Sequence, residues 1–114
     1  MDIILVDKPI ARPQLKKAAQ EIYGDMVKAV VDVEKGIMAI SGELHADQET
    51  FLLERKSRPE NLWGINLYPD REFPEMVEFD SMINIRPRQN NRSRGVEDAK
   101  IRDRIVAVVK ALVQ

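Results

Sequence analysis

Apolar and polar positions along the chain recur with two different periods, and together they predict eight secondary-structure elements. Short apolar or alternating runs predict five strands, at residues 3–6, 26–33, 37–41, 61–68 and 76–86. Apolar residues three and four positions apart predict three helices, which begin near Pro13, Asp47 and Glu97. The order β, α, β, β, α, β, β, α predicts an α+β fold in two layers, a mainly antiparallel or mixed sheet of about five strands with about three helices on one face.

The strand predicted at 76–86 has the most regular alternation in the chain. Its apolar side carries Val77, Phe79, Ile83 and Ile85, and its polar side carries Glu78, Asp80, Asn84 and Arg86. This pattern is typical of an antiparallel strand with one buried face. Polar residues of the other strands, including Lys28, Asp32 and Asn66, belong to the same face if the polar sides coincide. That face is then either an ordinary solvated surface or the floor of a ligand cleft.

Glycine, proline and acidic residues predict where several elements begin and end. Pro13 suits the first turn of the first helix, and Gly24 ends that helix. The sequence Glu34-Lys35-Gly36 predicts a tight turn between the second and third strands. Asp47 is a candidate cap for the second helix.

Length and composition narrow the class of protein. The 114 residues predict a single domain, 1–114, that buries a core without disulfides. Hydrophobic residues make up 44% and charged residues 32%, which is typical of folded globular proteins rather than disordered chains. Cysteine is absent, which excludes thiol catalysis and cysteine-bound zinc. No apolar run is long enough to span a membrane and no secretory signal is recognisable, so we expect a cytoplasmic location without membrane contact.

Charge is distributed unevenly although the net charge is only −1. Residues 58–80 contain six acidic and two basic side chains, whereas residues 86–104 contain seven basic and three acidic ones. A near-neutral total therefore does not exclude a polyanionic partner at one end of the molecule, and nucleic acid remains an open possibility.

The loop after the last predicted strand contains the strongest candidate binding residues. It carries four arginines and follows a polar strand end, and the predicted ligand-binding set is Asn84, Arg86, Arg88, Arg92 and Arg94. Arginine presents several donors in a planar fork that matches phosphate or carboxylate oxygens. A helix start follows directly and adds partial positive charge. The alternative is that the arginines pair with Glu97, Asp98 or the acidic segment before Asp80.

Carboxylates and the single histidine form a second candidate site. Glu43, His45 and Asp47 alternate, so an extended segment presents all three on one side. With Asp32 or Asp80 nearby, such a group holds a divalent cation and activates water for phosphoester hydrolysis. The weak catalytic candidates are therefore His45, Glu43, Asp32 and Asp80. The alternative is a structural histidine beside a helix cap, and no metal ligands are assigned.

Several common functional motifs are missing. The sequence has no Walker loop, dinucleotide-binding fingerprint, zinc finger, helix-turn-helix or aromatic ribonucleoprotein motif. No serine has a recognisable nucleophile elbow or neighbouring base. The sequence therefore leaves open whether the protein is an enzyme.

Five segments resemble a small prokaryotic family of single-domain proteins classed only as a domain of unknown function. The segments are residues 24–34, 42–47, 60–69, 79–87 and 91–98. The similarity extends over nearly the whole chain and implies a compact, stand-alone domain. It implies no activity, cofactor or site residue.

Three functional classes follow from these observations. The favoured one is an anion-binding module for a phosphorylated metabolite, a nucleotide or a nucleic-acid backbone. The second is a divalent-metal-assisted phosphoester hydrolase. The third is a regulatory protein-interaction domain without catalysis, of which a homodimer is one form.

Overall fold

A five-stranded antiparallel sheet forms the centre of the protein in a computed structural model that describes residues 2–114. Its strands lie in the order β1-β3-β2-β4-β5, with bounds β1 Ile4–Val6, β2 Val27–Asp32, β3 Ile37–Ile40, β4 Leu62–Leu67 and β5 Val77–Glu78. The helices are α1 Arg12–Ile22, α2 His45–Leu53 and α3 Ala99–Leu112. The predicted α+β class, the antiparallel sheet and the order of the elements are confirmed.

Helices α1 and α3 cover one face of the sheet and build the larger part of the core. Leu15 of α1 and Ile105 of α3 are fully buried against Val31 and Ile65, which project from the central strands β2 and β4. Both helices are amphipathic, and their apolar stripes face the sheet because burying that surface removes it from water. This face matches the predicted layer of helices on a sheet.

Helix α2 packs on the opposite face, so the expectation of helices on one face holds for α1 and α3 only. Leu52 of α2 is buried against Val30, Ala39 and Leu62, which form a second, smaller apolar cluster. The cause is visible in β2 and β4, whose side chains are nearly all buried whichever way they point. Strands with such continuous burial require cover on both faces.

The first helix begins and ends as predicted, whereas the second begins earlier. Pro13 lies in the first turn of α1, and Gly24 has a positive φ of 93° while its N–H donates to the Ala19 carbonyl at 2.7 Å. Helix α2 begins at His45, with Leu44 in the cap position and no side-chain cap. The prediction that Asp47 caps α2 is therefore wrong, since Asp47 lies within the first turn of the helix.

The prediction of one long strand at 76–86 is also wrong. Strand β5 ends at Glu78, and the chain then forms two short 3₁₀ turns, Met82–Asn84 and Pro87–Gln89. The regular alternation of this segment does not reflect sheet pairing. Its apolar residues divide between the two apolar clusters, since Val77 packs in the larger one and Ile83 in the smaller one.

The side-chain amide of Asn84 explains why the main chain leaves the sheet. The Gly64 N–H donates to Asn84 Oδ1 at 2.8 Å, and Asn84 Nδ2 donates to the Gly64 carbonyl at 2.9 Å. This amide supplies the two hydrogen bonds that a neighbouring strand would otherwise make with Gly64. Asn84 is fully buried, so the pairing is shielded from water. The segment from Ser81 onward is thereby free to turn over the edge of β4.

Within residues 2–114, no helix is both long and apolar enough to cross a membrane.

Replacement of Gly64 by alanine tests this arrangement. A Cβ at position 64 would lie 2.6 Å from both Cβ and Oγ of Ser81, so the segment carrying Asn84 would have to move. We expect Gly64→Ala to lower the free energy of unfolding by about 1–3 kcal/mol, measured by urea denaturation. Gly95→Ala is the control, because its Cβ would meet only ordinary contacts at 3.5 Å or more. Equal stability of the two variants would contradict the close approach.

Candidate functional site

A cleft opens where the amino end of helix α2 meets the segment after strand β5. Its volume is about 180 Å³. Four of its lining residues are polar and come from three different parts of the fold: Lys28, His45, Ser81 and Arg94. The apolar residues Leu44 and Met82 also line it, and both are more than half exposed. The cleft therefore combines polar groups with an apolar rim.

His45 is the first residue of α2, and its ring is held in one orientation. The Nε2 atom lies 2.7 Å from the Ile65 carbonyl oxygen. Because a carbonyl only accepts, Nε2 must carry the hydrogen. The other ring nitrogen, Nδ1, has no hydrogen-bond partner among residues 2–114. The residue is 8% exposed, and this burial, aided by the charge of Lys28, lowers the pKa of His45 below its usual value.

Lys28 projects from β2 on the face that carries the smaller apolar cluster. Its ammonium lies 5.6 Å from the centroid of the Tyr23 ring, a favourable distance for a cation over an aromatic face. No carboxylate of the described chain lies within 4 Å of it. Lys28 therefore brings an uncompensated positive charge to the cleft.

Arg94 approaches the cleft from the other side. Its Nε donates to Asp80 Oδ1 at 2.6 Å, and both side chains are about half exposed. The other two guanidinium nitrogens have no partner within residues 2–114. The Arg94 carbonyl accepts from Ser81 N–H and from Asn84 Nδ2, each at 2.9 Å. The position of its main chain is thus fixed by the residues that form the other wall.

The amino end of α2 adds donors of its own. The peptide N–H groups of His45 and Ala46 have no acceptor in the described part of the chain, and Leu44 provides no side-chain cap. The first turn of a helix carries partial positive charge from such groups. With Lys28 and Arg94, three sources of positive potential therefore converge on one cleft.

The helix start that the sequence singled out, at α3, already has acceptors. Asp98 Oδ1 accepts from the Lys100 N–H at 2.8 Å. Glu97 Oε2 accepts from the N–H groups of Arg92 at 2.7 Å and Ser93 at 2.9 Å, and these bonds lower the pKa of Glu97. Glu97 thus contacts the backbone of the arginine-rich loop, whereas Asp98 caps its own helix.

Arg86 is turned into the protein. Its Nε donates to the Ile83 carbonyl at 3.0 Å, and its terminal nitrogens donate to the carbonyls of Pro59, at 2.8 Å, and Leu62. The guanidinium also lies 4.6 Å from the centroid of Trp63 and 3.8 Å from a carboxylate oxygen of Glu49. Each of its nitrogens is engaged by this chain, so Arg86 holds the loop in place.

The remaining predicted binding residues are divided between the interior and the surface. Asn84 is buried in its pairing with Gly64, as described above. The side chains of Arg88 and Arg92 are exposed, and neither guanidinium has a hydrogen bond or ion pair within residues 2–114. Of the five predicted residues, the structure brings only Arg94 to the cleft.

The four catalytic candidates are not brought together. Asp32 closes the β2–β3 turn, since Oδ1 accepts from the N–H groups of Glu34 and Lys35 at 3.0 and 2.9 Å, and Oδ2 accepts from Ser57 Oγ at 2.6 Å. Glu43 is exposed, whereas His45 and Asp80 lie beside the cleft. Over residues 2–114, no three histidine or acidic side chains are placed to share a metal ion.

Sequence analysis placed Lys28 on the polar face of the sheet, the possible floor of a ligand cleft, but left it out of the binding set. It missed Ser81 as a cleft residue and Asn91 as the organiser of the loop. Lys28 had a usable signal, because it is the one charge within the apolar run 26–31. Asn91 had none. Its buried Nδ2 donates to the carbonyls of Asn84 at 2.7 Å and Gly95 at 2.8 Å, while its Oδ1 accepts from the Glu97 N–H at 2.8 Å.

The chain belongs to the family described as a protein of unknown function, DUF5674, whose model matches residues 4–112. This confirms the resemblance seen in the sequence. No curated protein and no solved structure matches the chain. The function is therefore argued from the cleft itself.

The structural role of Arg86 is testable against a neighbouring arginine. Arg86→Ala leaves the carbonyls of Ile83, Pro59 and Leu62 without this donor, and two of these three contacts are partly buried. We therefore expect it to lower the free energy of unfolding by about 1–3 kcal/mol. Arg88→Ala removes the same charge from an exposed position and should change stability by less than about 0.5 kcal/mol. Chemical denaturation of both variants measures the difference. Similar decreases in unfolding free energy for the two variants would show that the contacts of Arg86 contribute little to stability.

The buried His45 predicts a pH dependence of stability. Its pKa is lowered in the folded state, so the unfolded chain binds the proton more readily. The stabilising contribution is present above the unfolded value of about 6.5 and is lost as the pH falls toward the folded value. We expect His45→Gln to flatten this part of the profile of unfolding free energy against pH. Parallel profiles for the native protein and the variant would contradict the prediction.

Proposed function

We propose that the protein is an anion-binding module that holds a small oxyanion in the cleft at the amino end of α2. The observation that carries this proposal is the convergence of Lys28, Arg94 and two free peptide N–H groups on one cleft. Charge-assisted hydrogen bonds from such donors are stronger than those between neutral groups. Phosphate and carboxylate groups are the natural ligands of this arrangement.

The charge balance of the cleft supports an anionic ligand. Asp80 is the acidic side chain beside it and is already bonded to Arg94. Lys28 has no such partner, and the helix end adds further positive potential. A bound anion would complete a set of donors that the chain itself leaves open.

The size of the cleft supports a small ligand or the anionic end of a larger one. Its volume of about 180 Å³ is below the roughly 300–1,000 Å³ typical of sites that enclose drug-sized ligands. The exposed side chains of Leu44 and Met82 lie at its border and offer apolar contact to any part of the ligand outside. A phosphorylated or carboxylated metabolite meets both conditions, and the cytoplasmic location expected from the sequence is part of this proposal.

The exposed Arg88 and Arg92 lie in the same loop but outside the residues that line the cleft. A nucleic-acid backbone would contact them, whereas a small anion in the cleft would not. No specific observation favours a metal-assisted hydrolase or a protein-interaction domain over the small-anion site.

Substitution at the two cleft cations tests the proposal. Lys28→Gln and Arg94→Gln each remove one charge-assisted contact worth about 1.5–3 kcal/mol, so we expect each to weaken ligand binding roughly ten- to a hundredfold. A thermal-shift screen of phosphate- and carboxylate-containing metabolites identifies the ligand, and titration calorimetry measures its affinity. Thermal unfolding without ligand checks that each variant is folded.

Arg92→Gln is the matched control, because it removes the same charge from the same loop outside the cleft. We expect it to leave the affinity within about twofold. Weaker binding in Arg92→Gln with normal binding in Lys28→Gln would move the site to the loop. The absence of any stabilising anion would overturn the proposed function.

A further inference from the structure

We propose that the cleft prefers an oxyanion that still carries a proton, a phosphate or phosphate monoester, over a fully ionised one such as sulfate. The inference rests on the proposed function and concerns a polar lining group that can accept a hydrogen bond but cannot donate one, unlike the hydroxyl of Ser81, which can do both. That group is Nδ1 of His45. It makes the cleft a site for a ligand with several ionised oxygens and one hydroxyl.

The geometry of His45 determines which nitrogen accepts. The Ile65 carbonyl, 2.7 Å from Nε2, requires a hydrogen on that atom. In the neutral ring Nδ1 then has a free lone pair. The residue is 8% exposed and lies in the first turn of a helix, so the ring has little freedom to rotate. A ligand in the cleft therefore meets a fixed acceptor.

Burial and the nearby charge of Lys28 favour the neutral ring of His45. Burial has the largest effect on its pKa and lowers it, and the ammonium of Lys28 on β2 acts in the same direction. The Ile65 carbonyl and Asp80 act in the opposite direction, whereas Arg94 lowers the pKa. Asp80 and Arg94 are bonded to each other at 2.6 Å, so their opposite charges largely cancel at the ring.

The consequence for the ligand follows from hydrogen-bond pairing. A P–OH group donates to Nδ1, whereas an ionised oxygen at the same place would face a lone pair. Phosphate monoesters have a second pKa of about 6, so near that pH about half of the molecules carry the proton. Sulfate carries none. A site with a buried unmatched acceptor rejects the ligand that lacks the donor.

Calorimetric titration with inorganic phosphate, methyl phosphate and sulfate at about pH 6 and equal ionic strength tests the inference. We expect phosphate to bind at least about tenfold more tightly than sulfate, equivalent to one hydrogen bond of roughly 1.4 kcal/mol. Methyl phosphate distinguishes the two sources of the group. Affinity equal to or above that of phosphate shows that the site accepts esters, and much weaker affinity restricts it to the free ion.

His45→Gln is the decisive variant. The glutamine amide nitrogen reaches the place of Nε2 and retains the bond to the Ile65 carbonyl, but nothing accepts at the place of Nδ1. We expect the variant to bind phosphate and sulfate with affinities that differ by less than about twofold. Thermal unfolding should show that the variant is still folded. A preference that persists in the variant would overturn the role of His45.

Two further outcomes separate this inference from the function on which it rests. Equal binding of phosphate and sulfate, or sulfate binding with proton uptake in buffers of different ionisation enthalpy, would overturn the inference alone. In that case the ring becomes charged and donates at both nitrogens. Failure of every tested anion to bind would overturn the proposed function as well.

Discussion

The pairing of the Asn84 side chain with the backbone of Gly64 is the interaction on which the rest of the site depends. It gives β4 the hydrogen bonds of a neighbouring strand without a strand being there. The main chain can therefore turn over the sheet edge after β5 and approach α2, with Ser81 in one wall of the cleft. Glycine at 64 is required because Ser81 comes too close for any side chain. A longer β5 would instead have kept this segment in the sheet, away from the amino end of α2.

The four arginines of the loop show how differently identical residues are used. Arg86 is partly buried and donates to main-chain carbonyls, so its guanidinium stabilises the loop. Arg94 lines the cleft, and two of its guanidinium nitrogens have no partner within residues 2–114. Arg88 and Arg92 extend into solvent. Charge density along the sequence therefore overstates the number of arginines that are placed to meet one ligand.

Much of the fold could be predicted because it follows from local signals. The apolar runs of β2 and β4, the helical spacing of α1 and α3, and the stop at Gly24 each act over a few residues. The site depends instead on tertiary contacts. The alternation at 76–86 was misleading because the side chain of Asn84 makes the hydrogen bonds that a paired strand would make with Gly64. A pattern of polar and apolar residues cannot show such a contact. The start of α2 was missed because Leu44 carries no capping group, and that missing cap is what leaves the donors of the cleft open.

Arg94 links the two sides of this architecture. Its carbonyl receives Ser81 N–H and Asn84 Nδ2, while its guanidinium reaches the cleft. Any ligand bound by the guanidinium therefore also favours the state in which the Arg94 carbonyl accepts these two hydrogen bonds. Binding and local opening of the loop become thermodynamically coupled, so occupancy of the cleft would slow the exchange of the Ser81 amide hydrogen with solvent. The exchange rate of the Ser81 amide hydrogen, at the edge of the sheet, would thus show whether the cleft is occupied.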